Sequence, residues 1–283
     1  MTTEIYDELS GTLATPLRPP PAEGDRVVYS DLRHGSAQSQ GGGLSIKYVA
    51  RGRVDHRVGR RIFSVEAGQF ICVPEGLRSE LEIRRGGDQS MIGMCVFLDS
   101  QAPDPREICA IEEPIVFPAR CSTLGGLLER EIVGFRGSSL HRTHRAERLL
   151  SLVRADLEPL LEEVSGHLAS LSAAKSATRH EGLRRLNMAR GYLHDIVDRA
   201  VELGELARFA GISRFQLLRD FRACFGAPPA TYHRLLRLRL AKAEIDRGRA
   251  TCGQAAERFG FADSSSFSHA FRRAFGQPPS RAA

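Results

Sequence analysis

The 283-residue chain carries 40 Lys and Arg against 34 Asp and Glu, a formal charge of +6, and its length fits two domains because single cores stop growing near ~250–300 residues. No apolar run approaches the ~18 residues that a membrane span requires, and no basic-then-apolar secretory start opens the chain, so a soluble cytoplasmic protein is expected. Six scattered cysteines, Cys72, Cys95, Cys109, Cys121, Cys224 and Cys252, form no C-x-x-C pair, which argues against a zinc site or a disulfide framework and leaves them as small buried hydrophobes.

The first 25 residues are turn-rich, include Pro19, Pro20 and Pro21, and read as a flexible arm. From there to residue 171 a first folded domain is expected, which the resemblance named below makes a sensor or dimerisation domain. Residues 27–29, 44–49, 61–65, 69–73 and 91–97 are β-branched or aromatic runs separated by glycine and proline turns, a pattern of short strands that predicts a sandwich or small barrel. Tyr29, Tyr48, Phe63 and Phe70 are candidates for a pocket lining or for plain core.

A metal-dependent enzyme in such a barrel needs two or three His and a carboxylate converging inside it. The strand region holds only His34 and His56, and His141 and His144 stand in an Arg-rich stretch. No metal, no cofactor and no catalysis are therefore expected. Helical periodicity follows. Leu124, Leu127, Leu128, Ile132 and Phe135 share one face, and a second stripe runs through Leu150, Val153, Leu157, Leu160, Leu161, Val164 and Leu168. Pro159 inside that stripe should kink or divide it. The stripe packs against the β-domain, serves a dimer, or both. Residues 172–182 are small and polar and read as a linker.

Charge is unevenly placed. Residues 183–283 hold 18 Lys and Arg against 9 Asp and Glu, and the preceding 182 hold 22 against 25. A basic third on a mildly acidic body is the electrostatic footprint expected of nucleic-acid binding. The same third contains an internal repeat: FRACFGAPP at 221–229 returns as FRRAFGQPP at 271–279, and LA–G at 206–211 returns as AA–G at 255–260. Each copy reads as short helix, glycine turn and longer helix.

In the first copy Leu206, Ala207 and Ala210 form the buried face. Gly211 suits the left-handed position after the helix, Ser213 caps the next one, and Leu217, Leu218, Phe221 and Phe225 face the core. In the second, Thr251 and Asp263 are the caps and Phe267, Ala270, Phe271 and Phe275 the core. Between the copies, residues 232–247 form an amphipathic helix with Leu235, Leu236, Leu238, Leu240 and Ile245 on its apolar side, studded with Arg234, Arg237, Arg239 and Lys242.

The segment 260–280, GFADSSSFSHAFRRAFGQPPS, with the first copy and the helix between them, resembles the DNA-binding domain of the AraC/XylS family of bacterial regulators. Glu202 departs from the pattern, standing where the family often has a capping Ser. The resemblance implies an α+β protein of two domains: an N-terminal cupin-like β-barrel or sandwich with following helices, and a C-terminal all-α domain of two helix-turn-helix units joined by a linker helix. More loosely, the strand region with its hairpin around Gly59 resembles the family's cupin-like sensor. By that resemblance the protein is a regulator of double-stranded DNA, a homodimer that contacts RNA polymerase and takes a small-molecule effector. An alternative is an effector-independent regulator whose first domain only dimerises or binds a partner.

The outward residues of the two longer helices are then the expected DNA contacts. Arg219 can fork onto guanine, Gln216 reads adenine or holds phosphate, and Phe215 meets a thymine methyl. Ser265, Ser266 and His269 are shorter readers, while Arg222 and Arg272 on the flanks suit phosphates.

Overall fold

The computed structural model describes residues 4–9, 24–32, 35–40, 43–83, 90–99, 112–135, 142–173 and 175–279. His34, Cys109 and His141 lie outside them. The chain divides into two compact units, residues 1–169 with 173–184, and residues 170–172 with 185–283. The first joins β-sheet to helices and the second is all helix, so the expected α+β organisation stands.

Among the described residues, ten strands make two sheets in the first unit. One has six strands in the order β1 (Glu4–Leu9), β2 (Arg26–Leu32), β9 (Met91–Phe97), β4 (Ser45–Arg51), β7 (Gln69–Val73), β10 (Ile115–Pro118). The other has four, in the order β3 (Gly35–Gln40), β8 (Arg78–Ile83), β5 (Arg53–Val58), β6 (Arg61–Glu66). All described pairings are antiparallel except β1 with β2. Part of the presumed arm, Glu4–Leu9, is therefore a strand.

Alternation along the strands sorts the side chains into two layers. Leu32, Val49, Ile71, Val73, Met91 and Val116 of the larger sheet meet Val54, Phe63, Val65 and Ile83 of the smaller one in the sandwich core. On the opposite face of the larger sheet, Tyr29, Met94, Tyr48, Phe70 and Phe117 lie in one cross-strand row, all at most 3% exposed. The four aromatic pocket candidates thus do not converge. Tyr29, Tyr48 and Phe70 belong to this outer row and Phe63 to the interior.

Helices follow the strands in this unit. In α1 (Thr123–Phe135) the expected face Leu124, Leu127, Leu128, Ile132 and Phe135 is buried. The longer α2 (Arg142–Ser170) runs through Pro159 without a break, and its stripe from Leu150 to Leu168 is buried within the chain. Arg154 of α2 grips Asp25 with Nη2 at 2.6 Å and Nε at 3.2 Å, and Asp25 in turn accepts from the backbone N–H of Asp99. This ties α2 to the start of β2 and the end of β9. Where a linker was expected, α3 (Ser176–Asp195) is continuous; residues to Arg184 belong to the first unit and those from Arg185 to the second. Helical residues such as Leu183, Leu186 and Ala189, all buried, outweigh the small polar start.

The cysteines depart from their reading. Cys72 is buried, and burial pushes its thiol up to about 12, but Cys95, Cys121, Cys224 and Cys252 are only half-buried. No helix among the described residues is long and apolar enough to cross a membrane, and no three His, Cys, Asp or Glu gather there as a metal group.

Candidate nucleic-acid interface

The first repeat opens with α4 (Leu203–Ala210), which buries Leu206, Ala207 and Ala210. Glu202 precedes it in extended conformation and makes no side-chain cap. Gly211 turns the chain at φ 66°, a left-handed conformation that disfavours a Cβ. The Ser213 hydroxyl then accepts from the backbone N–H of Gln216 at 3.1 Å, starting α5 (Arg214–Phe225). The buried arc of α5 is Leu217, Asp220 and Phe221. It is centred further from Phe225 than the sequence suggested, so Leu218 falls out of the core at 41% exposed and Asp220 turns in.

On the outward side Phe215 is 73% exposed, Arg219 and Arg222 are exposed, and Gln216 is half-buried. Arg219 is not a loose side chain. Its Nε donates to Asp220 Oδ1 at 2.8 Å and its Nη2 reaches Oδ2 at 3.4 Å, while its guanidinium carbon sits 5.9 Å from the Phe215 ring. The buried carboxylate grips the side of the fork and leaves the end bearing Nη1 pointing away.

The second repeat places α7 (Cys252–Arg258) behind a full capping box. Thr251 Oγ1 accepts from Gln254 N–H, and Gln254 Oε1 accepts from Thr251 N–H. Gly260 makes the turn at φ 64°. Asp263 caps α8 (Ser264–Phe275), its carboxylate accepting from Ser266 N–H at 2.7 Å. Ser266 answers through its own hydroxyl, which donates to the Asp263 carbonyl at 2.9 Å and accepts from the Asp263 N–H at 3.4 Å. Of the expected contacts on this helix, Ser265, His269 and Arg272 are exposed with no partner among the described residues, whereas the Ser266 hydroxyl is held by the cap.

Both units hang on α6 (Pro229–Asp246), which buries His233, Arg237, Leu238, Ala241 and Ile245. Arg237 was expected on the surface; it is 6% exposed and its Nη1 donates to the carbonyls of Phe259 and Gly260, each at 3.0 Å. It therefore pins the turn of the second unit to α6. His233 Nε2 meets the Ile196 carbonyl at 2.6 Å. The repeat is visible in the packing as well. Phe221 and Phe225, like Phe271 and Phe275, meet edge to face with centroids 4.6 Å apart, and Gly226 and Gly276 end the two helices at φ 75° and 78°.

A family model described as a helix-turn-helix domain matches residues 206–283. A putative AraC-like transcription regulator of Streptomyces lividans is 33% identical over 131 residues, 46% of this chain and 40% of that one. The second unit is an AraC-type helix-turn-helix domain. A probable transcriptional regulator of Photobacterium leiognathi, LumQ, is 29% identical over 160 residues, 53% of this chain and 64% of its own. The chain thus spans less than two thirds of the length of these relatives. Among solved structures, a regulator with an AraC-type DNA-binding domain from Chromobacterium violaceum is 25% identical, with a TM-score of 0.34, covering 35% of this chain and 89% of that one.

Within the AraC-type domain the basic side chains fall into two groups. Lys242 pairs with Asp246, and Arg249 and Arg258 share Glu244, so their charge is spent locally. Arg222, Arg234, Arg239, Arg272 and Arg273 are exposed with no acidic partner among the described residues. Asp220 escaped the sequence reading, Leu218 was expected in the core, and Arg273 is exposed as its outward placement implied. Asp220 carried a usable signal, a carboxylate beside an arginine in a repeat whose other copy has Ala270 at the same place.

Proposed function

We propose that the chain is a sequence-specific DNA-binding transcription regulator. In this reading α5 and α8 enter successive major grooves on one face of the duplex. Phe215, Gln216 and Arg219 of the first helix, with Ser265 and His269 of the second, face the base edges. Arg222 and Arg272 hold phosphates on the flanks. Ser266 drops out as a base reader, because its hydroxyl already has two backbone partners. The carrying observation is the pair of equivalent helices, each capped, glycine-terminated and presenting arginines that no acid neutralises.

The first unit, cupin-like by resemblance, is assigned a small-molecule effector and the contacts of a homodimer. Contact with RNA polymerase follows from the same family resemblance. The test is selection of sites from random duplexes by the full chain, followed by a salt titration on the selected site. Several phosphate contacts must release counterions, so log affinity should fall steeply and linearly with log salt. A slope near zero, or no enriched sequence, sinks the reading.

A further inference from the structure

Apolar side chains on a water-facing helix are ordinary when single and informative when grouped. On α5 two stand together. Phe215 is 73% exposed and Leu218 41%, and a spacing of three residues makes them neighbours on the helix surface. At 3.6 residues per turn Phe215, Leu218, Arg219 and Arg222 share one arc of roughly 100°, opposite the buried Leu217, Asp220 and Phe221. The two hydrophobes therefore lie on the face assigned above to base edges.

The repeat shows that the scaffold does not need them. At an offset of fifty residues Phe221 and Phe225 return as Phe271 and Phe275 and Arg222 as Arg272, while Phe215 and Leu218 return as Ser265 and Ser268. Both copies still build a capped 12-residue helix with the same ring packing. Small hydroxyls suffice for that, so the large apolar pair belongs to the outer surface of α5 alone.

Charge says what covers it. Arg222 beside the pair is exposed with no acidic partner among the described residues, and the Arg219 guanidinium carbon is 5.9 Å from the Phe215 ring. A cationic surround of this kind favours a polyanion, and duplex DNA is one. Within the major groove every base pair offers hydrogen-bonding edges, but only thymine adds a methyl group. Phe215 and Leu218 are about 4.5 Å apart along the helix axis, close to the ~3.4 Å rise between base pairs, so each can meet a methyl on a neighbouring pair.

We infer that Phe215 and Leu218 act together as a methyl reader, taking the C5-methyl groups of thymines on two neighbouring base pairs beside the guanine forked by Arg219. Leu218 thereby becomes a specificity-determining residue, and the first half-site differs from the second in apolar contact as well as in hydrogen bonding. This rests on the DNA-binding reading above and gives two operator bases a chemical identity.

Deoxyuridine pairs as thymidine does and lacks only the methyl, so it isolates the contact. In the site selected by the full chain, Arg219→Ala marks the first half-site by the position whose preference it flattens. The thymines beside that position are then replaced by deoxyuridine, singly and together, and affinity is measured by gel shift. Each lost methyl should weaken binding about fourfold, the worth of one buried methyl group, and both together about 15-fold. Deoxyuridine in the second half-site, facing Ser265 and Ser268, should change affinity by less than about twofold. The double variant Phe215→Ser, Leu218→Ser should lose the difference between thymine and uracil while its thermal midpoint holds, both positions being exposed. Leu218→Ser alone should remove one of the two steps, and it decides if the double variant does not fold. A selected site with no thymine beside the guanine, or equal affinity for thymine and uracil, overturns methyl reading and leaves sequence-specific DNA binding standing. A double variant that holds the selected site as tightly as the parent assigns the pair to a protein partner and overturns it as well. Failure to enrich any sequence sinks both readings together.

Discussion

Helices α5 and α8 are each 12 residues long, end in a left-handed glycine and bury phenylalanines in matching geometry, yet their outer surfaces differ. On α5 large side chains stand out, Phe215, Leu218 and Arg219, and a buried Asp220 aims the arginine. On α8 the same positions hold Ser265, Ser268 and His269, with Ala270 in place of the aspartate, and a serine is taken up by the cap. A fixed fork can distinguish guanine from its alternatives; short hydroxyls discriminate weakly. The repeat thus preserves the scaffold and varies the readout, so α5 is expected to carry most of the specificity and α8 to add position and phosphate contact.

The largest effect tests whether the two helices act as one reader. Their contacts should lie about 10 base pairs apart, one turn of the duplex. Inserting five base pairs between the half-sites turns the second to the opposite face and should lower affinity by about 100-fold or more in a gel-shift titration. An unchanged affinity would falsify the single-reader arrangement.

Next come the two turn glycines, equal in φ and unequal in surroundings. A Cβ on Gly211 meets nothing within 4 Å, but one on Gly260 would lie 2.1 Å from the Asp198 carbonyl oxygen. Gly211→Ala should therefore cost about 1 kcal/mol of stability for the left-handed backbone, and Gly260→Ala about 3 kcal/mol or more once overpacking is added. Urea unfolding of the two variants gives the comparison, and equal losses would mean that the second turn yields.

The readout itself is compared by Arg219→Ala and His269→Ala. The first should cost about 1–3 kcal/mol of specific binding and flatten preference at one position, the second under about 1 kcal/mol. Asp220→Asn keeps the arginine but loosens its aim, so preference at that position should fall severalfold while binding to random DNA rises, a negative charge having gone. Matching selection profiles for Arg219→Ala and His269→Ala would erase the proposed asymmetry.

The smallest effect is in acid. Glu205 on α4 accepts from Arg199 at 2.5 Å and from the Tyr192 hydroxyl at 2.6 Å, and these bonds, that of Arg199 first, hold its carboxyl down at about 2. Its folded pKa is depressed, so the stabilisation is complete above the ordinary value of 4.5 and is lost as pH falls from there toward 2. The second repeat has the uncharged Gln254 at the equivalent place. Glu205→Gln should flatten the loss of thermal midpoint over that window and lower the neutral midpoint by the same small amount, small because the pair is exposed.

Much of this was legible in the residues. Gly-x-Pro-Pro at the end of each copy, with Ser213, Thr251 and Asp263 ahead of the helices, announced two equivalent helix-turn-helix units, since caps and stops are local chemistry. What stayed hidden depended on neighbours far along the chain. Arg237 looked like one more surface charge until two carbonyls 22 and 23 residues away claimed it. Leu218 and Asp220 exchanged core and surface because the buried arc is set by what packs on α5. In the first unit β8, RSELEI, did not read as a strand, for its outward face is charged and paired, as where Glu80 meets Arg57.

Arg237 also sets a limit on how the helix-turn-helix domain can be recombined. A designer who wished to give this chain a new operator by exchanging its second helix-turn-helix would choose a seam near Gly248, in the turn after α6. That seam leaves Arg237 to grip the two carbonyls of a foreign turn, and any side chain at 260 other than glycine would strike the Asp198 carbonyl. The exchangeable cassette must therefore begin before α6, or retain both an arginine at 237 and a glycine at 260.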